Sequence, residues 1–133
     1  MIGSGILRRS KKLEKNGISH DRYMELIYFC KQYKEKKEKL ESMALIQGMK
    51  YSSMPKTNNV ESSAERMAIK RVELKRDIEA IEKTAEEVAP AIKDSLLLNV
   101  TQGITYTYFN LPCGKNYFYR CRRNFFNKLA EKV

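Results

Sequence analysis

From residue 64 to residue 88 the chain keeps an unbroken alternation of three- and four-residue steps: Ala64, Met67, Arg71, Leu74, Ile78, Ile81, Ala85 and Val88. At 3.6 residues per turn this spacing gathers all eight positions on one narrow stripe of a long helix. Such a helix owes most of its stability to packing of its apolar face, so the stripe needs a cover. Arg71 is its one charged member.

An earlier segment supplies a natural cover. Ser19 reads as an N-cap, with Ile18 and Tyr23 placed as a hydrophobic staple. From there to about Ile46 the positions Tyr23, Leu26, Cys30, Tyr33, Leu40 and Ala44 follow the same spacing, interrupted by Lys37. The outward stretch "KQYKEKKEKLE" mixes signs like a solvated helix surface. Between the two segments, "QGMKYSSMPKTNNV" at 47–60 holds Gly48, Pro55 and an Asn pair without periodicity, and reads as a loop. Residues 19–89 are therefore expected to form a long, coiled-coil-like helical hairpin. Each seam carries one interruption, so a homodimer through the same faces competes with that arrangement.

Pro90 marks a break. Beyond it "AIKDSLLLNVTQG" sets Ile92, Leu96, Leu97 and Val100 on one side and ends at Gly103. A short helix "YTYFNL", capped by Thr105, then leads through a turn at Pro112 and Gly114 into a long final helix. The order of helix, turn and helix over 90–133 is that of a helix-turn-helix, whose second helix enters the DNA major groove.

The final helix contains "CGKNYFYRCRRNFFNKL" at 113–129. At about 100° per residue, Phe118, Cys121, Phe125 and Leu129 fall on one side with Phe126 at the margin. Asn116, Tyr119, Arg120, Arg123 and Asn127 fall opposite, and Lys115 lies in the first turn. Arg120 and Arg123 suit bidentate contacts to guanine, and Asn116 suits adenine or a phosphate. Arg122 projects inward, where its stem can pack on neighbouring helices.

Charge points the same way. The net formal charge is +10. Residues 115–133 hold six basic residues against Glu131, and 1–18 hold Arg8, Arg9, Lys11, Lys12 and Lys15 against Glu14. Two basic ends around a nearly balanced middle fit a polyanionic partner, nucleic acid above all. The first eighteen residues read as a basic arm, with a short helix over 6–15 stopped at Asn16-Gly17, and its Arg8, Arg9, Lys11 and Lys12 are expected on phosphates.

Other chemistry is thinly represented. His20 is the only histidine, and Cys30, Cys113 and Cys121 are odd in number and widely spaced, so neither a metal site nor a disulfide framework is expected. With no phosphate-binding glycine loop and no histidine-based dyad, neither an enzyme nor a cofactor is expected. No apolar run approaches the roughly 18 residues of a membrane span, and a cytoplasmic protein is expected.

Two stretches carry a resemblance. "YSSMPKTNNVESSAERMAIKRVELKRDIEAIE" and "GITYTYFNLPCGKNYFYRCRRNFFNKL" resemble the small phage transcriptional regulators of the RinA and ArpU kind, whose C-terminal part is similar to region four of bacterial sigma factors. The chain departs from that pattern at Gly114, where a serine cap is usual. The resemblance implies a DNA-binding protein of a phage or mobile element in a bacterial host cell, often an activator of late or packaging genes.

The expectation is thus an all-α, sequence-specific regulator of duplex DNA, with the hairpin serving dimerisation or RNA polymerase. Three alternatives compete with it. One is an interaction protein that inhibits host RNA polymerase or a defence nuclease, and another is a small DNA-packaging subunit. The third is an RNA binder that stacks bases on Tyr106, Tyr108 and Tyr119.

Overall fold

The computed structural model describes residues 17–50 and 58–133, with side chains at 17–45 and 63–133. The described residues form an all-helical structure without strands. The basic arm, with Arg8, Arg9, Lys11, Lys12 and the helix expected at 6–15, lies outside them.

Helix α1 spans His20–Lys31. Its start follows the local chemistry: Ser19 is extended (φ −76°, ψ 165°) and its hydroxyl accepts the Arg22 N–H at 3.2 Å. Ile18 is buried just ahead of it, and Tyr23 packs on the same core. The helix expected to run unbroken to Ile46 divides at Gln32 (φ −82°, ψ −4°), whose N–H turns to the Phe29 carbonyl at 3.3 Å. This three-residue closure tightens the last turn. Helix α2 (Tyr33–Lys50) resumes at once, with Lys36 N–H on the Gln32 carbonyl at 2.9 Å. The dislocation lets the two halves serve different neighbours. Leu26 and Cys30 of α1 turn into the central core, while α2 lies along the next helix.

That next helix, α3, spans Asn58–Val88. Helical structure therefore reaches into both ends of the segment 47–60 expected as a loop, and 51–57 lie outside the described residues. Gly48 costs a helix interior only about 1 kcal/mol, too little to end it alone. Along the seam Leu74, Ile78, Ile81 and Ala85 are buried, Met67, Arg71 and Val88 half-buried, and Ala64 exposed. The partner on its C-terminal half is α2. Tyr33 donates its hydroxyl proton to Glu82, and Lys36 Nζ lies 3.0 Å from Asp77 Oδ2. Farther along, Ser42 and Met43 share a groove with Lys70 and Leu74. Numbers rise on α2 as they fall on α3, so the two pack antiparallel. Lys37, the interruption in the α2 seam, reaches Glu82 at 3.4 Å and sits over the Tyr33 ring.

After Val88 the chain turns through Ala89 (φ −151°, ψ 70°) and one 3-10 turn, Pro90–Ile92, into helix α4 (Lys93–Gln102). Proline opens that turn, where its missing N–H costs nothing. Gly103 closes α4 in the left-handed conformation (φ 74°), its N–H on the Asn99 carbonyl at 2.9 Å.

The helix expected over "YTYFNL" is instead a single 3-10 turn, Tyr106–Tyr108. Thr105 makes no capping bond; its hydroxyl lies 3.1 Å from that of Thr107. Two causes are local. Leu111 precedes Pro112, which disfavours helical backbone there. Tyr106 is also anchored elsewhere, its ring 5.4 Å from Phe118 and its hydroxyl donating to the Cys113 carbonyl at 2.5 Å. Phe109 itself is extended (φ −95°, ψ 134°).

Helix α5 spans Lys115–Lys132. Phe118, Cys121, Phe125 and Leu129 are buried as the spacing requires. Phe126, expected at the margin, is also buried because Tyr23 of α1 covers it edge-on at 5.1 Å. These residues join Leu26, Cys30, Ile81, Ala85, Ala89, Ile92, Leu96 and Val100 in one cluster. The chain turns at Pro90, where a structural boundary is expected, and the apolar core is shared across that turn.

Candidate nucleic-acid interface

The buried phenylalanines fix how α5 is rotated, and so what it shows to solvent. Asn116, Arg120 and Arg123 are exposed, and Asn127 is half-buried. Their spacing of four, three and four residues makes a continuous strip opposite the Phe118, Phe125 and Leu129 side. Lys115 is exposed in the first turn. That turn contains no acidic residue, so the positive end of the helix dipole stays uncompensated beside Lys115.

Tyr119 departs from the expectation that it stands among the outward residues. It is half-buried, with its ring edge-on to Phe118 at 5.5 Å. Apolar ring surface gains more against the core than in water, so Tyr119 borders the strip rather than standing on it. Two exposed residues outside the expected set extend the polar surface from the Arg120 edge, Asn124 beside the strip and Lys128 at the border with the buried side. The helical wheel places both within about 80° of Arg120, a signal that was legible but overshadowed by the arginines.

The electrostatics of the strip are one-sided. Ion pairs occupy many basic residues elsewhere, such as Lys36 with Asp77, Lys93 with Glu86 and Lys132 with Glu87. Among the described residues no carboxylate lies within ion-pair distance of Lys115, Arg120, Arg123 or Lys128. Glu131 is the one acidic residue on α5. Without a carboxylate partner among the described residues, these four cations keep their attraction for an external anion, subject to salt screening.

Arg122 serves the opposite purpose. Its Nε donates to Asn99 Oδ1 at 2.8 Å and its Nη1 to the Tyr23 hydroxyl at 2.6 Å, and the guanidinium lies 4.9 Å from the Phe126 ring centre. Arg22 donates to the backbone carbonyls of Ala130 and Val133, tying α1 to the end of α5. Both arginines hold α5 in place.

Around the start of α5, Tyr108 is 82% exposed and Tyr117 48% exposed, whereas Tyr106 is half-buried by its core contacts. Cys30 is buried, which pushes its thiol up to about 12 and leaves it protonated at neutral pH. Among the described residues no group of three or more His, Cys, Asp or Glu side chains is placed to hold a metal, and no helix is long and apolar enough to cross a membrane.

An α-helix with its side chains is about 10–12 Å across, matching the roughly 12 Å width of the B-DNA major groove. Comparison with protein-family models, curated proteins and solved structures finds no match for the chain.

Proposed function

We propose that the chain is a DNA-binding protein that lays the exposed strip of α5 along the major groove. Lys115, Asn116, Arg120, Arg123 and Asn127 would face base edges or phosphates, and Lys128 would face phosphate. The carrying observation is the set of four exposed α5 cations with no carboxylate partner among the described residues, two of which, Arg120 and Arg123, stand opposite a fully buried aromatic face. Within this reading, α4 and α5 stand for the helix-turn-helix pair, joined by the longer connection 103–114, and paired α2 and α3 are the helical hairpin. The resemblance to phage regulators adds transcriptional control as the role, with Arg8, Arg9, Lys11 and Lys12 of the arm as phosphate contacts and RNA polymerase as a further partner.

The test is binding to labelled duplex of random sequence and to duplex taken from beside the gene, over about 50 to 200 mM salt. The four α5 cations alone predict a loss of affinity on the order of a hundredfold across that range, and contacts from the arm would make it steeper. A duplex preference that persists at the higher salt supports a sequence-reading regulator. Salt-insensitive or undetectable binding to both duplexes overturns it.

A protein-interaction role is the second reading. The single 3-10 turn at Tyr106–Tyr108, in place of a full helix before α5, favours it. In that case loss of Arg120 and Arg123 leaves function intact.

A further inference from the structure

The face of α3 turned away from the core has a pattern of its own. Glu65, Ile69, Val72, Arg76, Glu79 and Lys83 are all exposed, and they recur at steps of four, three, four, three and four residues. By helical geometry this strip lies about 170° around α3 from Leu74, Ile78, Ile81 and Ala85. At its centre Ile69 is 60% exposed and Val72 is 65% exposed, one turn apart. Among the described residues neither Glu65 nor Arg76, which flank that apolar pair, has an ion-pair partner within the chain.

The order of residues along the strip is self-complementary. A two-fold axis passing between Ile69 and Val72 sets a second α3 antiparallel to the first. Ile69 then meets Val72 of the copy, and Val72 meets its Ile69. Glu65 meets Arg76 of the copy at one end, and Arg76 meets its Glu65 at the other. On one flank Arg66 falls beside Glu73 of the copy, again with opposite sign. An isologous contact requires this reciprocity, in which each residue contacts the mate of its own partner. Alternating three- and four-residue spacing is also what lets two helices interlock along a seam.

We infer that this face of α3 is a docking surface for a second copy of the chain, paired antiparallel about an axis between Ile69 and Val72. The surface differs from the seam expected for dimerisation, because Leu74, Ile78, Ile81 and Ala85 are already spent on the core. It also stands apart from the DNA reading, since none of its residues lies on α5.

The experiment is sedimentation of the full chain without nucleic acid, at protein concentrations from about 5 to 500 μM, because association is concentration-dependent. The mass should rise from 15.6 kDa toward twice that value. Val72→Glu should hold it at 15.6 kDa, with an unchanged helical circular dichroism spectrum because the position is exposed. Glu65→Arg alone puts like charges together twice by symmetry and should weaken dimerisation by about tenfold or more. Glu65→Arg combined with Arg76→Glu should return the dimer constant to within about threefold of the original. A chain that stays monomeric throughout, or a dimer indifferent to both Val72→Glu and the single charge reversal, overturns the inference.

Discussion

Arg122 on the last helix donates to the hydroxyl of Tyr23 on the first at 2.6 Å, across ninety-nine residues of chain. The same guanidinium holds Asn99 of α4 at 2.8 Å, so one side chain joins three helices. Replacing it with methionine keeps much of the stem but takes the donor away from Asn99 Oδ1 and from the Tyr23 hydroxyl. Arg122→Met should lower unfolding free energy by about 2 kcal/mol in urea titration. DNA affinity, measured where both proteins are folded, should change less than twofold. A loss of affinity without a loss of stability would show Arg122 to be a contact residue instead.

Arg120 and Arg123 should behave in the reverse manner. They are exposed and without carboxylate partners among the described residues, so Arg120→Ala/Arg123→Ala should shift stability by no more than about 0.5 kcal/mol. The slope of log affinity against log salt for duplex DNA should become shallower by about 1.8, the share of two phosphate contacts. An unchanged slope would remove these arginines from the interface.

Gly103 gives a test of backbone geometry alone. A Cβ added there meets nothing within 4 Å, yet φ is +74°. Gly103→Ala should therefore cost about 1 kcal/mol through conformation and not through collision. Thermal unfolding of the variant reads this directly. An equal or higher melting temperature would place the glycine outside the left-handed region in solution.

Alkaline pH should destabilise the fold. Burial raises the Cys30 thiol from 9.0 to about 12, and burial followed by the bond to Glu82 raises the Tyr33 hydroxyl. In the unfolded chain the thiol ionises near 9.0. Above that pH the unfolded state therefore binds fewer protons, and stability falls as pH rises. The Cys30 share approaches about 1.4 kcal/mol per pH unit above 9. Melting temperature measured from pH 7 to 10.5 should be level at first and then drop, more gently in Cys30→Ala.

Much of the helical framework is legible in the sequence, because periodic seams and strong punctuation agree. Ser19, Pro90 and Gly103 each act where local chemistry puts them, and the Phe118, Phe125 and Leu129 face follows from spacing alone. What escapes the sequence depends on tertiary competition. The one-turn helix at Tyr106 yields because its ring and hydroxyl are claimed by Phe118 and the Cys113 carbonyl. The break at Gln32 is invisible in a seam that runs through it unchanged. Tyr119 and Phe126 lie at the edges of the helical wheel, where only a neighbouring helix decides between core and solvent. The exposed strip of α3 was hidden for the opposite reason: its two apolar residues are too few to announce a face until the remaining surfaces have been assigned.

The core shared across Pro90 makes the last helix a poor candidate for transplantation. Phe118, Phe125, Phe126 and Leu129 rest on Leu26, Cys30, Ile81 and Ala85, so a fragment cut at residue 90 would carry half of a core and the whole of its exposed strip. A chain that exchanged only its C-terminal forty residues would have to keep the inward fit against α1 and α3 whatever the outward strip became. Drift in the outward residues leaves the core untouched, whereas drift in the inward ones is tied to distant parts of the chain. On the DNA-binding reading proposed above, specificity would evolve by substitution on the strip and not by swapping cassettes.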